Sequence, residues 1–541
     1  MPSLPRAGGN LVNEGRMQRS KVRIVLGFVC GAGALALFLV ARSGVVSTAD
    51  VTLVTREVSL GKIDPGEIPE SLAVSSDNKH VAYVAKRGSK LSVIVDGVEG
   101  KEYDGIGVGS LVFSPDSERL VYEAQRGGKS LVVVDGVAGK EYKCIGASAP
   151  IFSPDSKRVA YAEERGGKWL VAVDGVEGRE YDGIDAGTPV FSPDSKRAAY
   201  GAGRGDKRLV VVDGIEGKEY DGILAGTPVF SPDSKRVAYA AKRGGKWLVV
   251  VDGMEDKEYD GIGKGSLVFS PDSKRVAYGA GRGNKLLVVV DGMEGKDYDG
   301  IMAGTPVFSP DSKRVAYGAG RGDKWLIVAD GVEGKEYDGI MAGTPVFSPD
   351  SNRAAYGAGR GNKWLIIVDG VEGKKYDLIG KGTFVVSPDS KRVAYTAHLG
   401  GKWLVVVDGV EGKEYDGIME GNPVFSPDSK RVAYAANRGG KWLVVVDGMA
   451  GKEYDGILAG TPVFSPDGKR VAYAANRGGK WLVVLDGAEG KKYDDLRNSS
   501  LAFDSPSELH TLASRVGEFL RVELRIVTPT ATPSGESPPH R

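Results

Sequence analysis

Cysteine is nearly missing from this chain. Two in 541 residues, Cys30 in an apolar run and Cys144 far downstream, exclude a disulfide framework and leave the compartment open. Histidine is almost as scarce. His80, His398, His510 and His540 are scattered without ligand spacing, which argues against a zinc site. No Gly-x-Ser-x-Gly elbow and no usable Ser/His/Asp set occurs. Gly201-Ala-Gly-Arg-Gly205 imitates a phosphate loop only in letters, because no helix follows to supply an N-terminus. Asp408-Gly-Val-Glu-Gly412 lacks the carboxylate density of a calcium loop and reads as a hairpin turn. Excess charge of either sign is absent too: 72 Lys and Arg stand against 71 Asp and Glu. Bulk attraction to nucleic acid is therefore not expected. These absences point away from an enzyme and from any cofactor or metal.

What is present is a period. A tyrosine returns every 39 residues from Tyr83 and Tyr122 to Tyr473, within a near-identical unit. Each unit reads as four short strands. In the last full copy these are Thr461–Phe464, Lys469–Ala475, Trp481–Leu485 and a strand around Tyr493. The turns between them are Ser465-Pro-Asp-Gly468, Arg477-Gly-Gly-Lys480 and Asp486-Gly-Ala-Glu-Gly490, each built from residues suited to tight turns. Four strands per repeat of about 40 residues predict β-propeller blades, and no segment carries the apolar period of a helix.

The last unit has no fourth strand, while Arg56–Ile63 before the first unit is a spare one. Pairing the two would close a ring and remove its edges. The expected total is about twelve blades. Rings usually hold four to eight, so two six-bladed rings are expected, over 61–303 and 304–527; one twelve-bladed ring and a seven-plus-five split are the alternatives. The remaining segments are a basic N-terminus (1–23), an apolar run (24–41), a linker with the possible closing strand (42–60) and a Pro/Ser/Thr-rich tail (528–541).

Ile24–Ala41 is uncharged over 18 residues. As a helix at about 1.5 Å per residue it would span roughly 27 Å, near the hydrocarbon thickness. Arg16, Arg19, Lys21 and Arg23 precede it, so the positive-inside rule places the repeats outside the cytoplasm. A single-pass anchor is expected, with a cleaved secretory signal ending near Ser47-Thr-Ala49 as the alternative.

At Phe-Ser-Pro-Asp-Ser-Lys-Arg-Val-Ala-Tyr the unit resembles the WD40-like (PD40) propeller repeat of the bacterial TolB-type family. The match covers about residues 70–510, with its motif intact at Phe113-Ser-Pro-Asp116 and in most later units. The resemblance implies an extracytoplasmic propeller that serves as a protein-interaction platform. The chain departs from that family in lacking a recognisable N-terminal domain, in carrying twice the usual blade number, and in having Ser for Gly at the turn (Ser117, Ser156, Ser195).

Comparison of the chain with itself suggests a working face. Successive turns alternate ends, so the Arg-Gly-x-Lys hairpin and the return loop to the next blade are expected on one face. That face would carry Arg87, Arg126, Arg165, Arg204, Arg243, Arg282, Arg321, Arg360, Arg438 and Arg477, with Leu399 as the exception. The return loop varies: Asp185, Leu224, Gly263-Lys264, Met302, Met419-Glu420. A positive, partner-binding arginine ring is expected. The seven tryptophans, Trp169 to Trp481 at one phase, read as blade-to-blade packing rather than sugar stacking. The function expected is a membrane-anchored scaffold that binds envelope proteins or an anionic surface polymer. A propeller-borne enzyme acting on glycan or peptide and a plain spacer are the rivals.

Overall fold

The computed structural model describes residues 52–107, 109–146, 149–421, 423–496 and 501–527. They belong to one compact unit. The expected basic N-terminus, membrane segment and C-terminal tail lie outside the described residues. Among the described residues no helix is long and apolar enough to cross a membrane.

The described chain folds into twelve antiparallel sheets, one per repeat, in chain order. We number the blades from 1 (Ala73–Tyr103) to 11 (Gly456–Tyr493); blade 12 is the shared one. Blade 4 shows how the unit is built. Its second strand, Ala198–Arg204, pairs with the third, Lys207–Val212, which pairs with the short fourth, Ile215–Glu216. The third strand buries Leu209, Val210 and Val211 in succession, because neighbouring blades cover both of its faces. Asp213 and Gly214 both have positive φ, the requirement of a two-residue hairpin that matches strand twist.

The first strand differs from expectation. It is split into Gly183–Ile184 and Val190–Phe191, both paired to Ala198–Arg204. The presumed return loop, Asp185 to Pro189, is therefore a bulge within that strand and not part of a turn face. Asp185 N–H donates to Gly201 O at 2.9 Å, and Thr188 Oγ1 donates to Asp185 O at 2.6 Å.

Adjacent blades are joined by a repeated set of contacts. Tyr181 at the end of blade 3 meets Tyr200 of blade 4 edge-to-face at 6.2 Å. Asp194 N–H donates to Ser234 Oγ of blade 5 at 2.8 Å. Arg197 bonds Asp213 at 2.8 Å within its blade and Lys235 O of the next blade at 2.8 Å. All 22 tyrosines fall at the two phases of this junction. Tryptophans pack beside it, as Trp325 does against the cluster of Ile327, Tyr337 and Ile367 between blades 7 and 8. This agrees with their expected packing role.

Blade 12 is assembled from both ends of the chain. Thr52–Lys62 pairs along Glu518–Val527, outside Glu508–Arg515 and Ala502–Ser505. On its other side Tyr83 of blade 1 packs against Phe519 at 5.8 Å.

The expectation of two rings is corrected. The residues on either side of 303/304 belong to one sheet, since Gly300–Ile301 and Val307–Phe308 both pair with Val315–Arg321. Junctions continue across this point, with Asp272 N–H to Ser312 Oγ at 2.8 Å and Tyr298 against Tyr317 at 6.2 Å. Among the described residues, the junctions on either side of blade 12 bring the first and last parts of the ring together, so the chain makes a single twelve-bladed propeller.

Candidate functional site: the interblade arginine ring

The predicted arginines all stand at the end of a second strand, next to the hairpin, as expected. Their surroundings are not those of a bare positive ring. Arg204 bonds Glu216 at 2.6 Å and Glu219 at 3.1 Å. Its guanidinium lies 5.7 Å from the ring centre of Tyr181 in the preceding blade, and the Tyr181 hydroxyl donates to Glu216 at 3.0 Å. Tyrosine, glutamate and arginine thus form a clamp across the junction, and Arg204 holds Glu216 below the usual carboxylate range. Arg165, Arg243, Arg282 and Arg321 each bond two carboxylates in the same way. Arg360 and Arg477 bond Glu372 and Glu489, Arg126 bonds Glu141, Arg438 bonds Glu453, and Arg87 bonds Asp64 and Glu99. The hairpin lysines are met likewise, for example Lys207 by Asp221 at 2.6 Å. The local charge of the hairpin is therefore balanced.

Natural exceptions support the clamp. Ala138 and Ala450 stand where other blades carry the glutamate, and the hydroxyls of Tyr103 and Tyr415 in the preceding blades are left without a hydrogen-bond partner. Leu399 stands where others carry arginine, and the Tyr376 hydroxyl is unpartnered there.

One clamp was missed from sequence. Arg515 bonds Glu57 at 2.6 and 2.9 Å, lies 5.6 Å from the Tyr493 ring, and Tyr493 donates to Glu57 at 2.9 Å. The closing blade rebuilds the motif with a glutamate from the opposite chain end. Arg515 escaped the count because it is one residue nearer Phe503 than Arg477 is to Phe464. That shortened turn was the available signal.

Unique polar side chains gather at the seam of blades 2 and 3. Glu163 occupies a position that is alanine in the ten other full repeats, and its side chain is fully buried. Neither carboxyl oxygen has a hydrogen-bond partner. Burial, opposed by Tyr142, pushes its pKa up to about 7. Nearby, Ser130 fills the tryptophan slot and bonds Glu123 at 3.0 Å, while Lys143 bonds Glu164 at 2.8 Å. Cys144 is a free thiol, raised in pKa by burial. Sealed from solvent, Glu163 cannot reach a substrate.

The bulges of blades 6 and 7 border a cavity of about 340 Å³ lined by Gly263, Lys264, Ser266, Gly279, Leu286 and Met302. It opens where Leu286 replaces tryptophan and Gly263 replaces a larger side chain. Among the described residues no cluster of His, Cys, Asp and Glu could hold a metal ion.

No protein-family model matches the chain, and no curated protein matches it. Solved structures do match. One is a eukaryotic initiation factor, 12% identical, covering 64% of this chain and 96% of that one, with a TM-score of 0.33. The Dos1 propeller is 14% identical over 54% of this chain and 90% of its own, at 0.27. The GH74 enzyme of Niastella koreensis is 13% identical over 84% and 83%, at 0.23. At these scores the likenesses carry no functional argument. The propeller assignment rests on the twelve sheets themselves.

Proposed function

We propose that this chain is a membrane-anchored, extracytoplasmic propeller scaffold, non-enzymatic, whose hairpin face receives an envelope protein. The observation that carries the reading is the direction of the chain ends. Thr52 pairs with Val527 at the end of blade 12 opposite the Arg515–Glu518 hairpin, so both ends of the described ring leave from one face. Anchored through the apolar run at 24–41, the ring would turn its twelve hairpins away from the bilayer. The resemblance to TolB-type repeats points the same way. The local pairing of every predicted arginine favours a protein partner over an anionic surface polymer. A pull-down from solubilised membranes tests the reading: a discrete protein should co-purify, and Lys-to-Glu changes at the hairpins, such as Lys207→Glu and Lys246→Glu, should reduce its recovery. Protection of the repeats from protease added outside intact cells would refute the location.

A further inference from the structure

The face opposite the hairpins carries a feature that the scaffold reading leaves unused. The third residue of the turn that opens with Asp-Gly is apolar and exposed in ten successive blades. They are Val98, Val137, Val176, Ile215, Met254, Met293, Val332, Val371, Val410 and Met449, with exposures from 62% at Met449 to 75% at Ile215. They make up most of the large exposed hydrophobics among the described residues. Equivalent positions in a closed ring of repeats lie on one circle, so these tips share a plane. On the same face the Ser-Pro-Asp-Ser-Lys turns hold out a second circle of lysines. Lys196, Lys274, Lys313, Lys391, Lys430 and Lys469 have side chains 80–83% exposed, each with only a loose aspartate 3.3–4.0 Å away.

We infer that this face rests on an anionic lipid surface, the apolar tips entering the headgroup boundary and the lysines meeting lipid phosphates. Two observations choose this occupant. A plane of ten tips spread over ten blades fits a flat partner, whereas a globular protein narrower than the ring would reach only some of them. Thr52 also emerges on this face, and only ten residues, 42–51, separate it from the uncharged run at 24–41. Apolar side chains flanked by Lys are the composition that binds bilayer interfaces, with affinity that rises with anionic lipid. The inference rests on the membrane-anchored reading but not on any protein partner.

The test uses the full chain with Cys30 and Cys144 changed to Ser, carrying a spin label at Met293→Cys or, on the hairpin face, at Asp323→Cys, reconstituted with vesicles. With phosphatidylcholine containing phosphatidylserine, the label at 293 should gain oxygen collisions and lose collisions with a water-soluble nickel complex, reporting a depth of roughly 5–10 Å. It should stay aqueous on phosphatidylcholine alone, and the label at 323 should stay aqueous throughout. An aqueous label at 293 on the anionic vesicles overturns the inference. So does spin–spin broadening between labels at 293 without lipid, which would assign the face to a second copy. Neither result touches the scaffold reading, which falls separately if the pull-down recovers no partner.

Discussion

Replacing Glu163 with alanine, the residue of every other full repeat, should change how stability depends on pH. The folded protein holds this carboxyl at about 7 against an ordinary 4.5. A difference near 2.5 units at about 1.36 kcal/mol each amounts to about 3 kcal/mol. The sign follows from the direction. The folded state binds the proton more tightly than the unfolded one, so the wild type is at no disadvantage below pH 4.5. It loses stability as pH rises through 7, with a slope of up to about 1.4 kcal/mol per unit. Tyr142 and Tyr161 line the site, Glu177 opposes ionisation, and Arg165 and Lys140 favour it only weakly. Urea unfolding of both proteins at pH 5 and pH 8 gives the measurement. Glu163→Ala should gain about 2.5 kcal/mol on the wild type between the two pH values, whatever the constant cost of the vacated space. An equal difference at both values would show that the carboxyl is solvated or paired in solution, and the burial argument would fail.

Three other outcomes are expected. Glu57→Ala removes the acceptor of Arg515 and Tyr493 and should cost about 2 kcal/mol at neutral pH. Because Arg515 holds the Glu57 pKa down, the loss should fade as pH falls through the acid range, which thermal melts at pH 7 and pH 3 would show. Ser234, at φ +67°, accepts a hydrogen bond from Asp194 N–H on its Oγ. Ser234→Ala should cost about 1 kcal/mol by urea unfolding and Ser234→Gly less, since glycine relieves the backbone while losing the same bond. Replacing Arg243, Arg282, Arg321 and Arg360 together with Ser should lower the melting temperature, because four clamps are lost, yet change retention on a polyanion column by no more than about twofold at physiological salt. A steep loss of retention with unchanged melting would make the arginines a recognition surface after all.

The local structure was largely legible in the sequence. Turn residues sit where turn geometry needs them, and the unpaired strands at both ends announced the shared blade. Global closure was not legible. Blade number depends on the angle between neighbours, which no single repeat encodes, and the copies on either side of residue 303 are too alike to mark a seam. The position of the arginines beside the hairpin is legible in the sequence but their local charge balance is not, because their glutamate partners, as for Arg204, lie 12 and 15 residues away across the hairpin. The bulge at Asp185 was read as a turn because its Ala-Gly-Thr-Pro composition is that of a loop. The apolar circle escaped notice because one valine per turn is unremarkable until closure places ten of them in one plane.

The closing strand also sets an order of events. Thr52–Lys62 is among the first parts of the ring to be synthesised, and its partner Glu518–Val527 among the last. At about 5–20 residues per second, roughly 25–95 s separate them. Throughout that interval the growing array is an open arc with a bare edge at its start and another at its moving end, the condition in which strands pair with the wrong neighbour. Premature termination anywhere before blade 12 would therefore leave an arc that cannot seal.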